Sequence, residues 1–412
     1  MSKLVYKNFV YLFIVQFSNY VLPFLVIPLL TRSLGLDGFG KYAFYLGIAN
    51  FLLVFIRFGF EFSATRQISL HSEDKTAVGE IVGAVLQIKA GLLILASSIF
   101  AVILFTVKPD QQNALLLLGG LLLLTGQMLL PIWYFQGMQQ MKFVTLYTVV
   151  TKIVYVGALF AVIRANDDYG YAVVIYGASF FVAGLFSIIQ VFWQVPVRLS
   201  INIDMIKTVF KEALPFFTSR IFVAAYTSSL VPLIGFMGGT SQVAIYSASE
   251  KLYLAAQSVM HPLTNALFPH IAKNKDLSLF KKVFFVALLL VVIGGIAGYF
   301  VAPYLIQFLF GETFAASADI FNLHIIALVF VFPSLLLGYP LLAALGFSKE
   351  ANNSVIWGCM AFFMIAVIGY FAGITATEYF VWAVIIAEVL VFSIRAYFAI
   401  TRVFYKPAPL TY

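Results

Sequence analysis

The chain has 412 residues, 62% of them hydrophobic and only 10% charged, with mean hydropathy +1.00 and formal net charge +8. A soluble domain carries about 25% charged residues, so a water-soluble fold is excluded, and long unbroken apolar runs exclude a β-barrel in favour of spanning helices. A single cysteine (Cys359), four histidines without metal-site spacing, no GxxxxGK[ST] phosphate loop and only short loops exclude an intrachain disulfide, a Cys- or His-based metal centre, an internal ATPase and a catalytic extramembrane domain.

Lys3 and Lys7 precede an apolar run over 9–30, which is too long for a signal-peptide core and lacks a small-residue cleavage site. It reads as the first of twelve transmembrane helices. The others are expected at 41–60, 80–107, 114–136, 143–163, 170–194, 213–236, 243–268, 283–306, 318–345, 354–373 and 379–400. Runs longer than the hydrocarbon thickness must tilt, kink or project from it. Between the first two, Gly35-Leu36-Asp37-Gly38-Phe39-Gly40 reads as a tight outer turn whose glycines lack phosphate-loop spacing. Before the seventh, residues 204–213 pattern as a short interfacial helix. Met205, Ile206, Val209 and Phe210 form one face, and Asp204, Lys207, Lys211 and Glu212 the other.

Fifteen Lys and Arg residues fall in connections on the N-terminal side of the membrane, and four (Arg32, Lys41, Lys108 and Arg164) on the other. The positive-inside rule then places both termini in the cytoplasm, and the net charge is a topology signal unrelated to nucleic acid. A shift of 204 residues maps Pro28, Leu29, Gly35 and Tyr42 onto Pro232, Leu233, Gly239 and Tyr246. A shift of 209 maps Pro131 and Gly137 onto Pro340 and Gly346. The expected fold class is therefore an all-α polytopic membrane protein. Its twelve helices form two six-helix lobes, 1–200 and 201–412, related by a pseudo-two-fold axis along the membrane normal. Parallel repeats of this kind build transporters that bind substrate near mid-membrane and rock between two open states.

Six basic residues lie inside the apolar runs: Arg57, Lys89, Lys152, Arg220, Lys251 and Arg395. At the bilayer centre each costs roughly 2.5–3.5 kcal/mol unless it meets water, a partner or an anion. Lys89, Lys152 and Arg220 are deep enough to suggest a cationic, substrate-binding cavity between the two lobes, for which Arg57 and Lys251 are further candidates. Arg57 is open between the cavity and snorkelling to the nearer surface, and Arg395 between snorkelling and pairing with Glu388. Lys251 and the adjacent Glu250 point apart and need separate partners. Glu388, Glu61 and Asp319 are candidates for proton or sodium coupling, or for salt bridges to the basic residues. His261 and His324 read as packed, hydrogen-bonded histidines. Pro28 and Pro232, in repeat-related helices, are candidate gate hinges.

Several segments resemble the polysaccharide-export flippases: Ser18-Asn19-Tyr20 with Pro23, Pro28-Leu29-Leu30-Thr31-Arg32-Ser33-Leu34-Gly35, Phe58-Gly59-Phe60-Glu61-Phe62-Ser63-Ala64-Thr65-Arg66, Pro131-Ile132-Trp133-Tyr134-Phe135-Gln136-Gly137, Tyr246-Ser247-Ala248-Ser249-Glu250-Lys251-Leu252 and Phe268-Pro269-His270-Ile271-Ala272. The nearest resemblance is to flippases of O-antigen, a lipid-linked oligosaccharide. These fall in a superfamily with multidrug exporters and lipid II flippases, of which the last usually carry two extra helices. The resemblance implies a non-enzymatic, multi-pass protein of the bacterial inner membrane that moves an oligosaccharide on undecaprenyl diphosphate from the cytoplasmic to the outer leaflet. It implies basic positions in the third and fifth helices, matching Lys89 and Lys152, and an acidic one in the twelfth, matching Glu388; Arg220 has a less uniform counterpart. Membrane lipid and the polysaccharide polymerase machinery are the further partners implied, and no cofactor. A cation-coupled multidrug exporter of the same fold is the alternative, but its cavity should be acidic. An O-antigen polymerase or ligase would need a large outer loop, which this sequence lacks.

Overall fold

The computed structural model describes residues 3–107, 110–198 and 202–405, with side chains described from Leu25 onward except at 107, 219 and 261. The side chains of Lys3, Lys7 and His261, and all of Lys108 and Lys406, lie outside the described residues. Within them the protein is all-α. The helices are α1 (Lys3–Arg57), α2 (Phe60–Leu70), α3 (Lys75–Val102), α4 (Asn113–Leu129), α5 (Ile132–Gly137), α6 (Met141–Val162), α7 (Tyr169–Gln194) and α8 (Ile203–Thr227). They continue as α9 (Leu230–Met237), α10 (Thr240–Ser258), α11 (Met260–Asn274), α12 (Leu277–Phe310), α13 (Ser317–Leu336), α14 (Ser348–Phe371) and α15 (Thr377–Phe398).

Ten segments of the described residues are long and apolar enough to cross a membrane. A straight α1 would measure about 80 Å against a hydrocarbon core of about 30 Å. It breaks instead at Gly35 (φ 61°, ψ −171°) and supplies two crossings. The pair α10–α11, more polar than the rest, supplies another, which gives the twelve-crossing fold that hydropathy predicts.

Prolines set many of the interruptions, because each leaves the carbonyl four residues earlier without its N–H. Pro131 follows the end of α4. Pro232 lies in the first turn of α9, just after the gap at 228–229, and Pro262 lies in the first turn of α11. Pro28 differs from its repeat partner Pro232. It sits within α1, whose non-helical backbone is at Gly35.

Local backbone geometry repeats in the two halves. Gly239 (φ 86°, ψ 179°) has nearly the conformation of Gly35, one that a side chain rarely tolerates. After the repeat-related prolines the chain turns in the same way twice. Gln140 N–H donates to the Phe135 carbonyl (2.7 Å) and Phe347 N–H to the Leu342 carbonyl (2.8 Å). Each bond spans a positive-φ residue, Gln139 (φ 55°) or Gly346 (φ 94°).

Buried cations lie at two of these interruptions. The Lys89 ammonium, from α3, donates to the carbonyls of Gln127 (3.2 Å) and Met128 (2.8 Å) at the end of α4. Gln127 is the carbonyl that Pro131 orphans, so Lys89 replaces a missing backbone donor at the negative end of a helix dipole. Pro340 falls inside a π-helical segment, Leu337–Ala343, that follows α13. Beside it the buried Arg395 donates to Ser334 O (2.9 Å), Ser334 Oγ (3.1 Å), Ser354 Oγ (2.9 Å) and Ala351 O (3.3 Å). Arg395 therefore neither snorkels nor ion-pairs with Glu388, which corrects both sequence-based alternatives. Neutral acceptors from two other helices hold it.

The chain separates into two compact units, one ending at Ala224 and the next beginning at Ala225. The expected boundary was residue 200. The difference comes from α8, which runs unbroken from the supposed interfacial segment into the membrane helix through Pro215. The apolar face predicted for 204–213 is present, but protein covers it. Val209 and Ala213 are buried in the first unit's core with Met205 and Ile206 against them, and Phe210 stacks on Phe58 at 4.7 Å.

Elsewhere in the first unit, glycines bring α4 and α7 together. A Cβ on Gly177 would lie 2.1 Å from the Gly119 carbonyl, and one on Gly184 2.4 Å from that of Gly126. At the end of the unit that holds Gly35, Asp110 accepts from Tyr169 Oη (2.5 Å) and Gln112 N–H (2.9 Å), and Lys41 lies 3.8 Å away.

Gly177→Val should lower stability by about 1–3 kcal/mol, the usual range for forcing atoms into a full contact, seen as a lower thermal midpoint of the purified protein. Arg395→Met should cost about 2–4 kcal/mol because it strands buried acceptors. Arg395→Lys should recover only part of that loss in the same measurement, since one ammonium cannot reach acceptors spread around a guanidinium fork.

Candidate functional site

The first unit gathers charge where α1 ends. Arg57 occupies the last turn of α1, and the helix then breaks at Phe58 (φ 41°) and Gly59 (φ 77°) before α2 begins. The break has a steric cause. A Cβ on Gly59 would lie 2.7 Å from Phe216 Cβ and 3.1 Å from the Ala213 carbonyl, both in α8. Phe58 stacks on Phe217 at 4.4 Å, which fixes the corner from the other side.

Glu61, in the first turn of α2, faces two guanidinium groups. Its Oε1 is 3.9 Å from Arg57 Nε and its Oε2 is 3.2 Å from Arg220 Nη1 on α8. Arg220 also lies over the Phe62 ring, 4.8 Å from its centroid. Two consecutive residues of α2 therefore hold Arg220, one by charge and one by its π-face. Arg57 and Glu61 both act through space on Lys89. The arrangement is two guanidinium groups on one carboxylate, with Lys89 within electrostatic reach.

Accessibility divides the group. Lys89 is 3% exposed, with two of its three donors on carbonyls. The side chains of Arg57, Glu61 and Arg220 are 42%, 36% and 44% exposed. Accessible pairs of this kind contribute about 0–1 kcal/mol each, so a stronger anion can replace one of the partners.

The second helix was expected to end near residue 60, which left open a snorkelling Arg57. Helical structure resumes in α2 and continues to Leu70, held by buried Ile68 and by Gln67 Nε2 donating to Glu212 Oε2 at 2.6 Å. Arg57 thus lies thirteen residues before the end of α2, about 20 Å at helical rise. Lys89 lies fourteen residues into α3, at a similar height. Arg220 was assigned to the second lobe, so that the cationic patch would bridge two lobes. It belongs to the first unit, with Arg57, Glu61 and Lys89.

Lys152 is half-buried on α6, one turn before Tyr155, whose hydroxyl lies 2.6 Å from that of Tyr42. In the second unit Lys251 is exposed on α10, while Glu250 accepts from Tyr246 Oη at 3.4 Å. Glu388, buried on α15, accepts from Tyr226 Oη at 3.2 Å. Tyr253 is within electrostatic reach of both acids. Ser249 Oγ and His324 Nδ1 lie 2.7 Å apart, so His324 is the packed, hydrogen-bonded histidine expected. Asp319 is exposed in the first turn of α13, where it complements the helix dipole and stands apart from these acids.

The spacing of Arg57 and Glu61 shows in the sequence as an i, i+4 pair. Nothing local connects Glu61 to Arg220, or Glu388 to Tyr226, and the second unit's tyrosines carry no pattern that separates them from packing aromatics.

The sequence profile of the polysaccharide biosynthesis protein family matches residues 5–275. The chain is 26% identical over 295 residues to a protein of Escherichia coli (strain K12) named "Putative O-antigen transporter", covering 71% of each chain. It is 29% identical over 268 residues to one of the same name in Shigella dysenteriae, covering 65% of this chain and 67% of that one. Among solved structures, the lipid II flippase MurJ in its inward closed conformation superposes with TM-score 0.69 at 11% identity, over 92% of this chain and 86% of that one. An inward-facing multidrug-resistance transporter of the MATE family superposes with TM-score 0.64 at 14% identity, over 91% and 93%. The chain therefore belongs to the polysaccharide biosynthesis protein family and has the fold of the MOP-superfamily transporters.

Proposed function

We propose that this protein is a flippase. It moves an oligosaccharide carried on undecaprenyl diphosphate from the cytoplasmic to the outer leaflet of the bacterial inner membrane by alternating access, with both of its termini in the cytoplasm. One observation carries the reading: in the first unit two accessible arginines share a single accessible carboxylate. A diphosphate is the anion that such a group neutralises. The planar guanidinium fork matches two phosphate oxygens at once, which a lysine cannot do. Arg57 and Arg220 are the direct ligands, and Lys89 stands behind them, bonded to the carbonyls at the end of α4. Lys152 and Lys251 contribute further basic positions. The apolar carrier chain remains in lipid, so only the headgroup and sugars cross through protein. The relatives named as O-antigen transporters support this substrate class, and the polymerase that consumes the flipped oligosaccharide is the natural partner.

A multidrug exporter of the same fold would take cations, and the accessible charge in the first unit opposes that. The acidic groups of the second unit suit a different task. Buried Glu388, bonded by Tyr226, sits where a proton or sodium ion would be taken up and released to drive the cycle, with Glu250 nearby in electrostatic terms. Pro232, just past the gap at 228–229, is the hinge that the local geometry favours.

Deletion of the gene should abolish surface polysaccharide and leave the lipid-linked oligosaccharide accumulated in the cytoplasmic leaflet, as read by mass spectrometry and leaflet-specific labelling. Normal surface polymer in the deletion strain counts against a flippase. The double variant Arg57→Gln/Arg220→Gln should lower complementation at least about tenfold, since each charged contact is worth about 1.5–3 kcal/mol, while the amount of protein in the membrane stays normal. Glu388→Gln should slow substrate movement in proteoliposomes driven by a proton or sodium gradient. An unchanged rate there removes Glu388 from coupling.

A further inference from the structure

We propose that Glu61 is the resident counter-ion of the site and its charge filter. In the empty transporter it occupies the position that a substrate phosphate takes, and it is displaced only by an anion that carries more charge than itself. The inference rests on the reading of the Arg57–Arg220 pair as the diphosphate site.

Four observations support it. First, the two oxygens of Glu61 are divided between guanidinium groups from different helices, Arg57 at the end of α1 and Arg220 on α8. Two neighbouring oxygens of a phosphate have the same task to perform. Second, all three side chains are more than a third exposed, so the exchange needs no core to open. Third, the contacts are not saturated. The Arg57 contact is 3.9 Å and the Arg220 contact 3.2 Å, whereas a tight charge-assisted bond is about 2.7–2.9 Å. Fourth, contacts other than Glu61 hold Arg220, Lys89 and the backbone beside Arg57. Phe62 lies under Arg220, Phe58 and Gly59 fix the corner beside Arg57, and Lys89 is tied to the carbonyls at the end of α4. The arginines therefore remain preorganised for an incoming anion.

The consequence is selectivity by charge. A neutral or cationic solute gains nothing by displacing Glu61. A singly charged anion gains little, because it only replaces Glu61 with an equal charge, whereas a phosphate carrying two charges gains. A diphosphate brings two charges and can meet Arg57 and Arg220 together. Glu61 thus separates a carrier diphosphate from singly charged lipid headgroups of the same leaflet.

The test uses the full-length protein in nanodiscs at neutral pH, with inorganic pyrophosphate and orthophosphate as probes and calorimetry as the readout. Wild type should prefer pyrophosphate. Glu61→Gln should bind pyrophosphate about tenfold tighter, as removal of a nearby competing charge predicts after allowance for solvent screening. It should gain more for orthophosphate, so that the preference narrows. Arg57→Gln and Arg220→Gln should each weaken pyrophosphate binding. If they weaken it while Glu61→Gln leaves both affinities unchanged or lower, the counter-ion role is wrong and the diphosphate site stands. If the arginine variants bind pyrophosphate as wild type does, the site reading fails and the counter-ion role falls with it. Should Glu61→Gln not fold, Glu61→Asp withdraws the charge by one methylene and should gain affinity in the same direction by a smaller factor; no gain overturns the proposal.

Discussion

A backbone carbonyl inside a bilayer has no water to bond, so every interruption of a membrane helix needs a donor from elsewhere in the protein. That demand explains the placement of Lys89, one of two buried lysine and arginine side chains among the described residues. Pro131 removes a donor at the end of α4, and the Lys89 ammonium replaces it. At the irregular turn around Pro340 the Arg395 guanidinium bonds carbonyls and hydroxyls of neighbouring segments. The two prolines are repeat-related, but the two cations come from helices that are not counterparts. Each half has met the same constraint with a different helix.

The same chemistry separates the remaining cations. Arg57 and Arg220 face a carboxylate and are accessible, whereas Lys89 and Arg395 face backbone or hydroxyl oxygens and are buried. A cation saturated by carbonyls has little to offer a ligand directly. A cation loosely paired with an accessible carboxylate has most of its donors in reserve. Lys89 belongs to both groups, because its bonds are spent on the α4 terminus while its charge still reaches Arg57 and Glu61. Charge acts at a distance, but hydrogen bonds do not.

The corner at Phe58–Gly59 links this chemistry to the fold. α8 can approach there only because residue 59 has no side chain, and that approach carries Arg220 to Glu61. The stretch of α8 that reads as an interfacial helix is what binds α8 to the first unit. Its apolar face suits a membrane surface and a protein core equally well, and an aromatic cluster around Phe58 is the surface that it meets. In the second unit the acids are paired with tyrosine hydroxyls in place of arginines. The two units therefore hold buried or half-buried charge by different partners despite their common backbone pattern.

The sequence by itself determined the membrane class, the twelve crossings, the left-handed turns at Gly35 and Gly239, the irregularities at Pro131 and Pro340, the Arg57–Glu61 spacing and the apolar face of α8. These follow from local or one-dimensional constraints: an apolar run must match a bilayer thickness, a proline lacks an N–H, and one φ/ψ region favours glycine. Tertiary structure alone decided that Arg220 belongs with Glu61, that α8 joins the first unit, that Lys89 closes α4, that Arg395 bonds serines and carbonyls while Glu388, two turns away, acts on it only through space, and that Asp319 stands apart at a helix end. In each case the deciding partner is remote in the chain, and a basic residue in an apolar run looks the same in sequence whether a carbonyl, a carboxylate or a ligand awaits it.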